Sequence, residues 1–497
     1  MSISKVKLFL WGLLGFAAVV ASSQIPLNGA NAFTQYDDGL FAPLEDLSRL
    51  SDLHFTTFGH PAFPGHSIRM KRSESAFCDK TVKSYTGYID KYNHHIFFYF
   101  FESRNDPDKD DVIFWTNGGP GGSSSLGLFM ELGPCRIVDE KQTKYHPESW
   151  NSNANIFFVD QPVGVGYSYA DYGDPVGTTE EAAKDIAAFV AIFFQNFSKF
   201  QGRPFHMAGE SYGGRYIPLF ASAVYDQNPR LIEAGLAPIN LTSIMIGNGL
   251  TNILQMFDGR YKMACTVGAS TQVVDIQTCV GMKQALSRCE RWLQASCYDT
   301  FDDVACQAAF SFCSSAIDGP YEITGKNPYD VTKDCIGELE DTICYPIVSD
   351  IVRYLSRKDV RDQLGVDSSL PSNFSAIGWD VNRAFTLHHD ELRPSYLYVA
   401  QLLERGVKAL IYVGANDWIC NWIGNEAWTL DLEWSQQEEF NGQVLRDWKV
   451  DGKVAGQTRS AGGLTFATVL GAGHMVPYDK PKEALELLTR WLSKTEL

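Results

Sequence analysis

Apolar runs of two kinds alternate along the first half of the chain. Short uninterrupted runs at 112–115 and 155–159 are typical of strands buried on both faces of a sheet. Residues 178–197 instead repeat alanines and phenylalanines at helical spacing behind a capping box of Thr178 and Glu181, which predicts a helix. Further strand-like runs lie at 84–89, 95–101, 205–208, 243–248, 409–413 and 466–470, and a closing helix is predicted at 481–492. Strands that alternate with helices predict an α/β protein with a mostly parallel central sheet covered on both faces.

The alternation stops between residues 252 and 395, where the sequence is cysteine-rich, helical and irregular. Strand-like runs resume after this stretch, so an insertion folded over the edge of the sheet explains the pattern better than a second fold that begins at 252. We therefore predict a core in two parts, 73–251 and 396–497, interrupted by an insertion or cap subdomain at 252–395.

The N-terminal stretch has the features of a targeting and processing segment. Lys5 and Lys7 precede an apolar run at 8–20, and small residues follow it, which predicts a signal peptide at 1–23. The run is too short for a comfortable membrane span, so we expect no membrane attachment after signal removal and a lumenal or secreted protein. Residues 24–72 end in the dibasic pair Lys71-Arg72 and are interpreted as a pro-segment, with an ordinary N-terminal extension as the alternative.

Charge and cysteine content narrow the class of protein further. A net charge of −17 and a pI near 5.0 argue against a nucleic-acid partner, which requires a basic surface. Eight of the eleven cysteines fall between Cys265 and Cys344, and in a secretory protein we expect most of them in disulfides with at least one thiol left over. Zinc binding is the competing interpretation, but no Cys-x-x-Cys pair occurs, so neither a metal nor a cofactor is predicted.

A nucleophilic serine is predicted at Ser211. The sequence Gly-Glu-Ser-Tyr-Gly at 209–213 follows an apolar run and precedes a helical pattern, which is typical of a strand, a tight elbow and a helix. Two later strand-like runs end in Asp417 and His474, and the order Ser, Asp, His is that of the α/β-hydrolase arrangement. We therefore predict a triad at the carboxyl ends of the strands. Four other histidines lack a spaced acidic or cysteine partner and are interpreted as surface or packing residues: His94, His95, His388 and His389.

Four motifs together resemble the serine carboxypeptidase family, carboxypeptidase Y type. They read WTNGGPG at 115–121, GESYGG at 209–214, DWICNW at 417–422 and GHMVP at 473–477. The resemblance extends from about Cys78 to the end of the chain. It implies an α/β-hydrolase fold whose insertion is a disulfide-rich, largely helical cap. It also implies a serine-type carboxypeptidase that removes C-terminal amino acids from peptides and proteins at acidic pH through an acyl-enzyme intermediate.

The resemblance assigns a role to each position of the motifs. Ser211 attacks the scissile carbonyl, His474 acts as general base and then as general acid, and Asp417 holds the imidazole. The backbone N–H groups of Gly119 and Tyr212 form the oxyanion hole. The residues implied to bind the free carboxylate of the substrate are Asn117, Gly118, Glu131 and Glu210. Two glutamates held together and partly buried have raised pKa values, so at acidic pH they can donate hydrogen bonds to that carboxylate.

The substrate pockets implied by the resemblance are aromatic and apolar. Tyr212, Ile419 and Cys420 match the pocket for the residue before the scissile bond, and Cys420 matches a thiol that the family leaves free. The positions around the departing residue are Tyr329, Tyr345 and Met475. This lining indicates hydrophobic preferences, although core packing is the alternative role for each of these side chains.

The cysteines follow the family pattern with two departures. The implied disulfides are Cys265–Cys279, Cys289–Cys313, Cys297–Cys306 and Cys335–Cys344. Cys78 and Cys135 are additional to the pattern, and we hypothesise that they pair with each other. Gly122 and Ile377 stand where the family usually has a bridged pair of cysteines, which raises the question of what holds the glycine loop in place.

Modification and targeting signals complete the sequence. Sequons at Asn196, Asn240 and Asn373 predict glycosylation. Gln-Ile-Pro-Leu at 24–27 is similar to the vacuolar sorting tetrapeptide of the family and favours the vacuole over secretion. The same triad could serve an acyltransferase, and an idle site could belong to a lumenal binding or chaperone protein. The candidate carboxylate-binding residues favour the peptidase over both alternatives.

Overall fold

The computed structural model describes residues 44, 46–73, 77–173, 175–266 and 273–497. The predicted signal peptide at 1–23 and the sorting tetrapeptide at 24–27 lie outside these residues. Within the described ranges, no helix combines the length and the apolar character needed to cross a membrane.

A single sheet of thirteen strands organises the fold. Its strands are β1 (Thr56–Gly59), β2 (His66–Arg72), β3 (Ser84–Lys91), β4 (His94–Phe101), β5 (Val112–Thr116), β8 (Asn155–Val159), β9 (Tyr169–Ala170), β10 (Phe205–Glu210), β11 (Leu241–Gly247), β14 (Lys408–Gly414), β15 (Arg446–Val450), β16 (Lys453–Ala461) and β17 (Leu464–Val469). Two small hairpins lie apart from it, β6 (Cys135–Asp139) with β7 (Gln142–Tyr145), and β12 (Lys326–Asn327) with β13 (Asp330–Asp334). The order across the large sheet is β1-β2-β3-β4-β8-β5-β10-β11-β14-β17-β16-β15, with β9 paired to β4.

The centre of the sheet, from β8 to β17, is parallel, and both edges are antiparallel. The central strands are buried on both faces, which is why they appear in the sequence as uninterrupted apolar runs. A separate hydrophobic core lies on each face of the sheet, and successive residues of a strand pack into alternate cores. Phe114 packs into one core, whereas Ile113 and Trp115 pack into the other. The predicted parallel, doubly covered sheet is thus confirmed.

Helices cover both faces of the sheet and build the insertion. They are α1 (Thr179–Asn196), α2 (Gly213–Asp226), α3 (Asn228–Glu233), α4 (Ile253–Cys265), α5 (Ile276–Leu293), α6 (Asp303–Cys313), α7 (Gly319–Glu322), α8 (Leu339–Thr342), α9 (Ile347–Ser356), α10 (Lys358–Leu364), α11 (Trp379–Leu387), α12 (Tyr396–Glu404), α13 (Trp422–Asp431), α14 (Gln437–Asn441), α15 (Val476–Asp479) and α16 (Pro481–Ser493). Helix α1 begins as predicted, since the side chain of Thr178 accepts a hydrogen bond from the backbone N–H of Glu181 at 3.3 Å.

The stretch between β11 and β14 is helical and cross-linked. Strands β11 and β14 pair in parallel, Ser243 opposite Lys408, although the whole insertion separates them in the chain. The described cysteines form the pairs Cys78–Cys135, Cys265–Cys279, Cys289–Cys313, Cys297–Cys306 and Cys335–Cys344, which are the pairs expected from the sequence. Cys420 is the free cysteine and is buried. The exact limits of the insertion at 252 and 395 stay a prediction.

The segment before residue 73 contributes two strands that the sequence analysis did not predict. Strand β2 is paired on one side with β1 and on the other with β3, where His66 lies opposite Lys91 and Arg72 opposite Tyr85. Its core-facing side chains include Ile68 and Met70. Removal of residues 24–72 stays a prediction, but the described part of that segment is an integral edge of the sheet.

Two of the histidines interpreted as partnerless do have acidic partners. The ring of His95 contacts Asp90 at 2.6 Å through Nδ1 and Asp171 at 3.3 Å through Nε2, and His389 lies 3.5 Å from Asp303. That part of the interpretation was wrong because these partners come from neighbouring elements, and sequence spacing does not reveal them.

Candidate active site

Ser211 lies on a strained elbow between strand β10 and helix α2. Its φ of 62° is in the left-handed region, which a residue other than glycine adopts only where surrounding structure enforces it. Backbone bonds supply that enforcement, because the carbonyl oxygen of Ser211 accepts from the N–H groups of Gly214 at 2.9 Å and Leu250 at 2.8 Å. A Cβ on Gly209 would lie 2.8 Å from Ile217, so only glycine lets the helix pack this close to the strand.

Asp417 and His474 meet at the same end of the sheet. Strand β14 ends just before Asp417, and His474 follows strand β17 after a short loop. His474 Nδ1 lies 2.7 Å from Asp417 Oδ2, and both side chains are buried. The same oxygen accepts a hydrogen bond from Asn248 Nδ2 at 2.7 Å, and the other oxygen accepts from the backbone N–H of Ile419 at 3.1 Å.

Ser211 lies beside this pair. Its backbone N–H donates to Gly247 O at 3.1 Å, and the next residue, Asn248, is the one that donates to Asp417. Cys420 follows Asp417 by three residues and is buried, and burial raises the pKa of its thiol well above the ordinary value. Among the described residues, the possible ligand atoms of Asp417, Cys420 and His474 lie within 4.8 Å of one another, a spacing at which a metal ion could be held. Ser211, Asp417 and His474 therefore lie at the same end of the sheet, with Asp417 and His474 buried and Ser211 partly buried.

The glycine loop packs directly against the residue after Ser211. A Cβ on Gly118 would lie 2.3 Å from the backbone nitrogen of Tyr212, so the close approach of these two segments requires glycine. The next residue, Gly119, has a φ of 116°. Within the described part of the chain, the N–H groups of Gly119 and Tyr212 have no hydrogen-bond acceptor, so both donors are free to serve an added oxygen.

Two buried carboxyl groups lie beside this loop. The side chains of Glu131 and Glu210 lie next to each other, and Glu131 Oε1 accepts from Asn117 Nδ2 at 3.1 Å. Burial raises the pKa of Glu210 well above its ordinary value, and the nearby Glu131 carboxylate raises it further. Burial also raises the pKa of Glu131, whose Oε2 has no partner among the described residues.

Asn117 is itself fixed in place, because its Oδ1 accepts from Trp115 Nε1 at 2.8 Å and from the Gly127 N–H at 2.9 Å. Its Nδ2 therefore points at Glu131, and the amide orientation follows from the donors around it. The three side chains of Asn117, Glu131 and Glu210 form one polar cluster in an otherwise apolar surrounding.

Sequence motifs of the serine carboxypeptidase family match residues 76–494. The chain is 42% identical over 432 residues to carboxypeptidase Y of Candida albicans, an alignment that covers 86% of this chain and 77% of that protein. The chain belongs to the serine carboxypeptidase family. It is also 42% identical over 436 residues to carboxypeptidase Y homolog A of Aspergillus oryzae (strain ATCC 42149 / RIB 40), with coverage of 86% and 78%.

A solved structure shows the same fold. Kex1(delta)p, a prohormone-processing carboxypeptidase from Saccharomyces cerevisiae, superposes with a TM-score of 0.70 over 93% of this chain and 97% of that one, at 23% identity. The predicted α/β-hydrolase fold is confirmed. The protein is accordingly a serine-type carboxypeptidase, a hydrolase that removes C-terminal amino acids from peptides and proteins.

Backbone and side-chain bonds hold the carboxypeptidase's glycine loop where the family's usual disulfide is missing. Gly122 and Ile377 are partners in an isolated antiparallel bridge, and Ser123 N donates to Ala376 O at 2.9 Å. Asp160 accepts from Ser123 Oγ at 2.6 Å and from the Ser124 N–H at 2.9 Å. These contacts answer the question raised by the two replaced cysteines.

The predicted pocket residues lie around the same cluster. The ring centroid of Tyr329 lies 5.0 Å from that of His474 and 6.1 Å from that of Tyr345. The backbone N–H of His474 donates to Tyr329 O at 2.7 Å, which fixes the loop that carries the imidazole. Met475 is buried beside His474, and Ile419 is partly buried beside Cys420.

One of the three predicted glycosylation sites is buried in the structure. Asn196 is 4% exposed, and its Nδ2 donates to the carbonyl oxygens of Gly59 and Ile192 at 3.1 and 2.8 Å, so a glycan there would displace both bonds. Glycosylation at Asn196 stays a prediction. Asn240 and Asn373 are exposed and stay predicted sites.

Sequence reasoning missed several residues that support the site. Asn248 directly follows strand β11, and its position at the carboxyl end of a central strand was the signal that could have identified it. Asp160 likewise follows β8. Asp390 lies in the insertion and accepts from Tyr212 Oη at 2.8 Å, a long-range contact that nothing in the local sequence indicates.

Proposed function

We propose that Ser211, His474 and Asp417 carry out peptide hydrolysis in this carboxypeptidase. The observation that supports this proposal most directly is the buried 2.7 Å contact between His474 Nδ1 and Asp417 Oδ2, at the end of the sheet that carries Ser211. The buried carboxylate holds the imidazole in the tautomer that leaves Nε2 free to accept a proton.

The reaction takes place in two steps. Ser211 Oγ forms a bond to the scissile carbonyl carbon while its proton passes to His474, and the C–N bond then breaks as His474 returns that proton to the departing amino acid. A water molecule next loses a proton to His474, attacks the acyl-enzyme and releases the shortened peptide with Ser211 restored. The N–H groups of Gly119 and Tyr212 stabilise the oxyanion in both steps, a donor of this kind being worth ~2.7–4 kcal/mol of barrier.

Glu131, Glu210, Asn117 and Gly118 bind the free carboxylate of the substrate in this proposal. Asn117 Nδ2 and a protonated Glu210 can donate hydrogen bonds to an anion, whereas two ionised glutamates would repel it. Because the pKa values of both glutamates are raised, the donor form persists at acidic pH and is lost as the pH increases through the raised values. Peptidase activity is therefore expected to have an acidic optimum.

The pocket for the departing residue is formed by Tyr329, Tyr345 and Met475, whose rings and thioether favour an apolar side chain. Peptides and proteins with a free C-terminus are the proposed substrates. The proposed compartment is the vacuole lumen or the extracellular space, reached with the signal peptide at 1–23 removed and the chain cleaved after the pro-segment at 24–72.

The test is amino-acid release from blocked dipeptides by the processed protein and by Ser211→Ala. Release by the wild type alone supports the proposal. Release by neither protein overturns it in favour of a binding protein, and transfer of an acyl group to an added alcohol without hydrolysis overturns it in favour of an acyltransferase. A circular dichroism spectrum and melting temperature equal to wild type serve as the folding control for Ser211→Ala.

A further inference from the structure

A short turn at the end of the insertion lies against the residue that follows the proposed nucleophile. The turn spans Asp390–Leu392. Asp390 is fully buried and is fixed on all sides: it accepts from Tyr212 Oη at 2.8 Å, from Thr179 Oγ1 at 2.6 Å and from Arg215 Nε at 3.3 Å. The turn is thus held rigidly against Tyr212, and the next residue along it is Glu391.

Glu391 is a partly buried acid without a partner. Its carboxylate makes no hydrogen bond or ion pair with any residue that the structure describes. The nearby cation is Arg260, but its guanidinium already pairs with Asp318 at 3.0 Å and its Nε donates to Ile419 O at 3.0 Å. A charged group held out of water without a counter-ion is costly, so its presence requires an explanation.

The turn that carries Glu391 packs on residues predicted to bind the acyl side of the substrate. Its neighbour Asp390 accepts from Tyr212 Oη at 2.8 Å, and Tyr212 directly follows Ser211. Arg260, the nearby cation, donates through Nε to the carbonyl oxygen of Ile419, two residues after Asp417. Glu391 thus belongs to a turn fixed on one predicted wall of the pocket, Tyr212, and its nearby cation is fixed on the other, Ile419.

We propose that Glu391 selects substrates with a lysine or arginine side chain at the residue preceding the scissile bond. Tyr212 and Ile419 supply apolar surface for the aliphatic stem of such a side chain, and Glu391 supplies the counter-charge for its end. This proposal rests on the proposed function, and it changes the hydrophobic preference that the aromatic lining indicated for this pocket. The pocket for the departing residue keeps its apolar preference.

The proposal carries a pH dependence of its own. Burial raises the pKa of Glu391 to about 7, Arg260 opposes this rise, and Asp390 and Asp318 add to it. Tyr212, which directly precedes helix α2 and is hydrogen-bonded to Asp390, stays protonated, since burial raises its pKa well above the ordinary value. Ionised Glu391 attracts a cation, so the preference for a basic over a neutral side chain is expected to increase between pH 5 and pH 7.

The experiment measures kcat/KM for three blocked dipeptides that share a C-terminal leucine and carry lysine, leucine or glutamate before it. The proteins are the wild type, the isosteric Glu391→Gln, the charge-reversed Glu391→Lys, and Glu438→Gln as a matched control that removes an exposed negative charge from α14. We expect Glu391→Gln to lower the lysine-to-leucine ratio about tenfold and to remove its increase with pH, while Glu391→Lys favours the glutamate substrate.

The outcomes distinguish failure of the proposal for Glu391 from failure of the proposed catalytic residues. An unchanged lysine-to-leucine ratio in Glu391→Gln, with the leucine substrate still cleaved, overturns the proposal and leaves the proposed function intact. Equal loss on all three substrates also overturns it, because it assigns Glu391 to stability. The same ratio change in Glu438→Gln would overturn it by attributing the effect to net charge.

Discussion

Asn248 donates a hydrogen bond to the same oxygen of Asp417 that contacts His474, with both distances at 2.7 Å. Its own Oδ1 accepts from the backbone N–H of Gly414 at 3.1 Å, so the amide is oriented by the end of strand β14. Asn248 thus fixes the position of Asp417 and stabilises its charge.

Replacement of Asn248 by alanine is expected to lower kcat about ten- to hundredfold with little change in KM. A hydrogen bond to a charged group contributes about 1.5–3 kcal/mol, and here the loss affects the transition state in which His474 becomes cationic. Steady-state kinetics on a blocked dipeptide check this, with Thr251→Ala as a nearby buried control. A kcat within twofold of wild type would contradict the role given to Asn248.

The glutamate pair predicts how peptidase activity depends on pH. The pKa values of Glu131 and Glu210 are raised, so their protonated forms, and with them substrate binding, are present at acidic pH and are lost as the pH increases through the raised values. For the wild type we expect KM to increase about tenfold between pH 5 and pH 8. In Glu210→Gln the amide donates at every pH, so KM should vary much less.

A dipeptide amide is the control for this prediction, since it lacks the carboxylate that the pair is proposed to bind. Its KM should show no such increase with pH in either protein. If KM for the free acid rises equally in the wild type and in Glu210→Gln, the glutamate pair is not what limits binding at neutral pH.

The bridge between Gly122 and Ile377 predicts that a disulfide can be introduced there. Opposed residues of antiparallel strands have Cα atoms about 4.5–5.5 Å apart, within the range that a disulfide spans. We expect the double variant Gly122→Cys, Ile377→Cys to bridge spontaneously and to gain about 2–4 kcal/mol of stability. A Cβ on Gly122 would lie 2.9 Å from Gly118 O, so the loop must shift slightly to admit it.

Thiol titration in denaturant checks the bridge. The wild type has one free thiol, Cys420, and the double variant should also have one. Each single variant has one thiol more and serves as the control. Two extra thiols in the double variant would show that the pairing geometry is unsuitable.

The pairing of β2 on both sides predicts the fate of residues 46–72 when the chain is cut after Arg72. Strand β2 is hydrogen-bonded on both sides, and Arg69 contacts Asp90 at 2.9 Å while His66 contacts Asp185 at 3.2 Å. We expect the fragment to stay bound to the folded enzyme. Gel filtration of the nicked protein should recover both pieces in one peak, and separation should occur only in denaturant. Elution of the free fragment from native enzyme would contradict this expectation.

The parallel centre of the sheet could be predicted because its strands are uninterrupted apolar runs. The run at 155–159 coincides with β8. Strands β15 and β2 could not be predicted in the same way, because their apolar side chains are buried only at alternate positions. In β15, Trp448 and Val450 are buried between polar neighbours, and in β2 Ile68 and Met70 are buried at alternate positions. Strand β2 also ends in the dibasic pair Lys71-Arg72, which favoured the interpretation as a processing site.

Some residues of the candidate site could be predicted from the sequence, and others could not. Ser211, Asp417 and His474 each follow a recognisable strand, so the sequence indicates that they share one end of the sheet. Glu391 and Asp390 come from the insertion, and their placement against Tyr212 depends on how the whole insertion folds back. Local patterns cannot predict such contacts. For the same reason the sequon at Asn196 gave no sign that its amide is buried.

The parallel pairing of β11 with β14 also determines when the protein can become active during its synthesis. Ser243 can pair with Lys408 only after Lys408 has been translated, and His474 is translated later still. Residues this far apart in the sequence pair late and slowly, after the cysteine-rich stretch between them has been translated. A nascent chain that stops before residue 474 cannot assemble the proposed site, so it has no means to degrade the proteins folding around it.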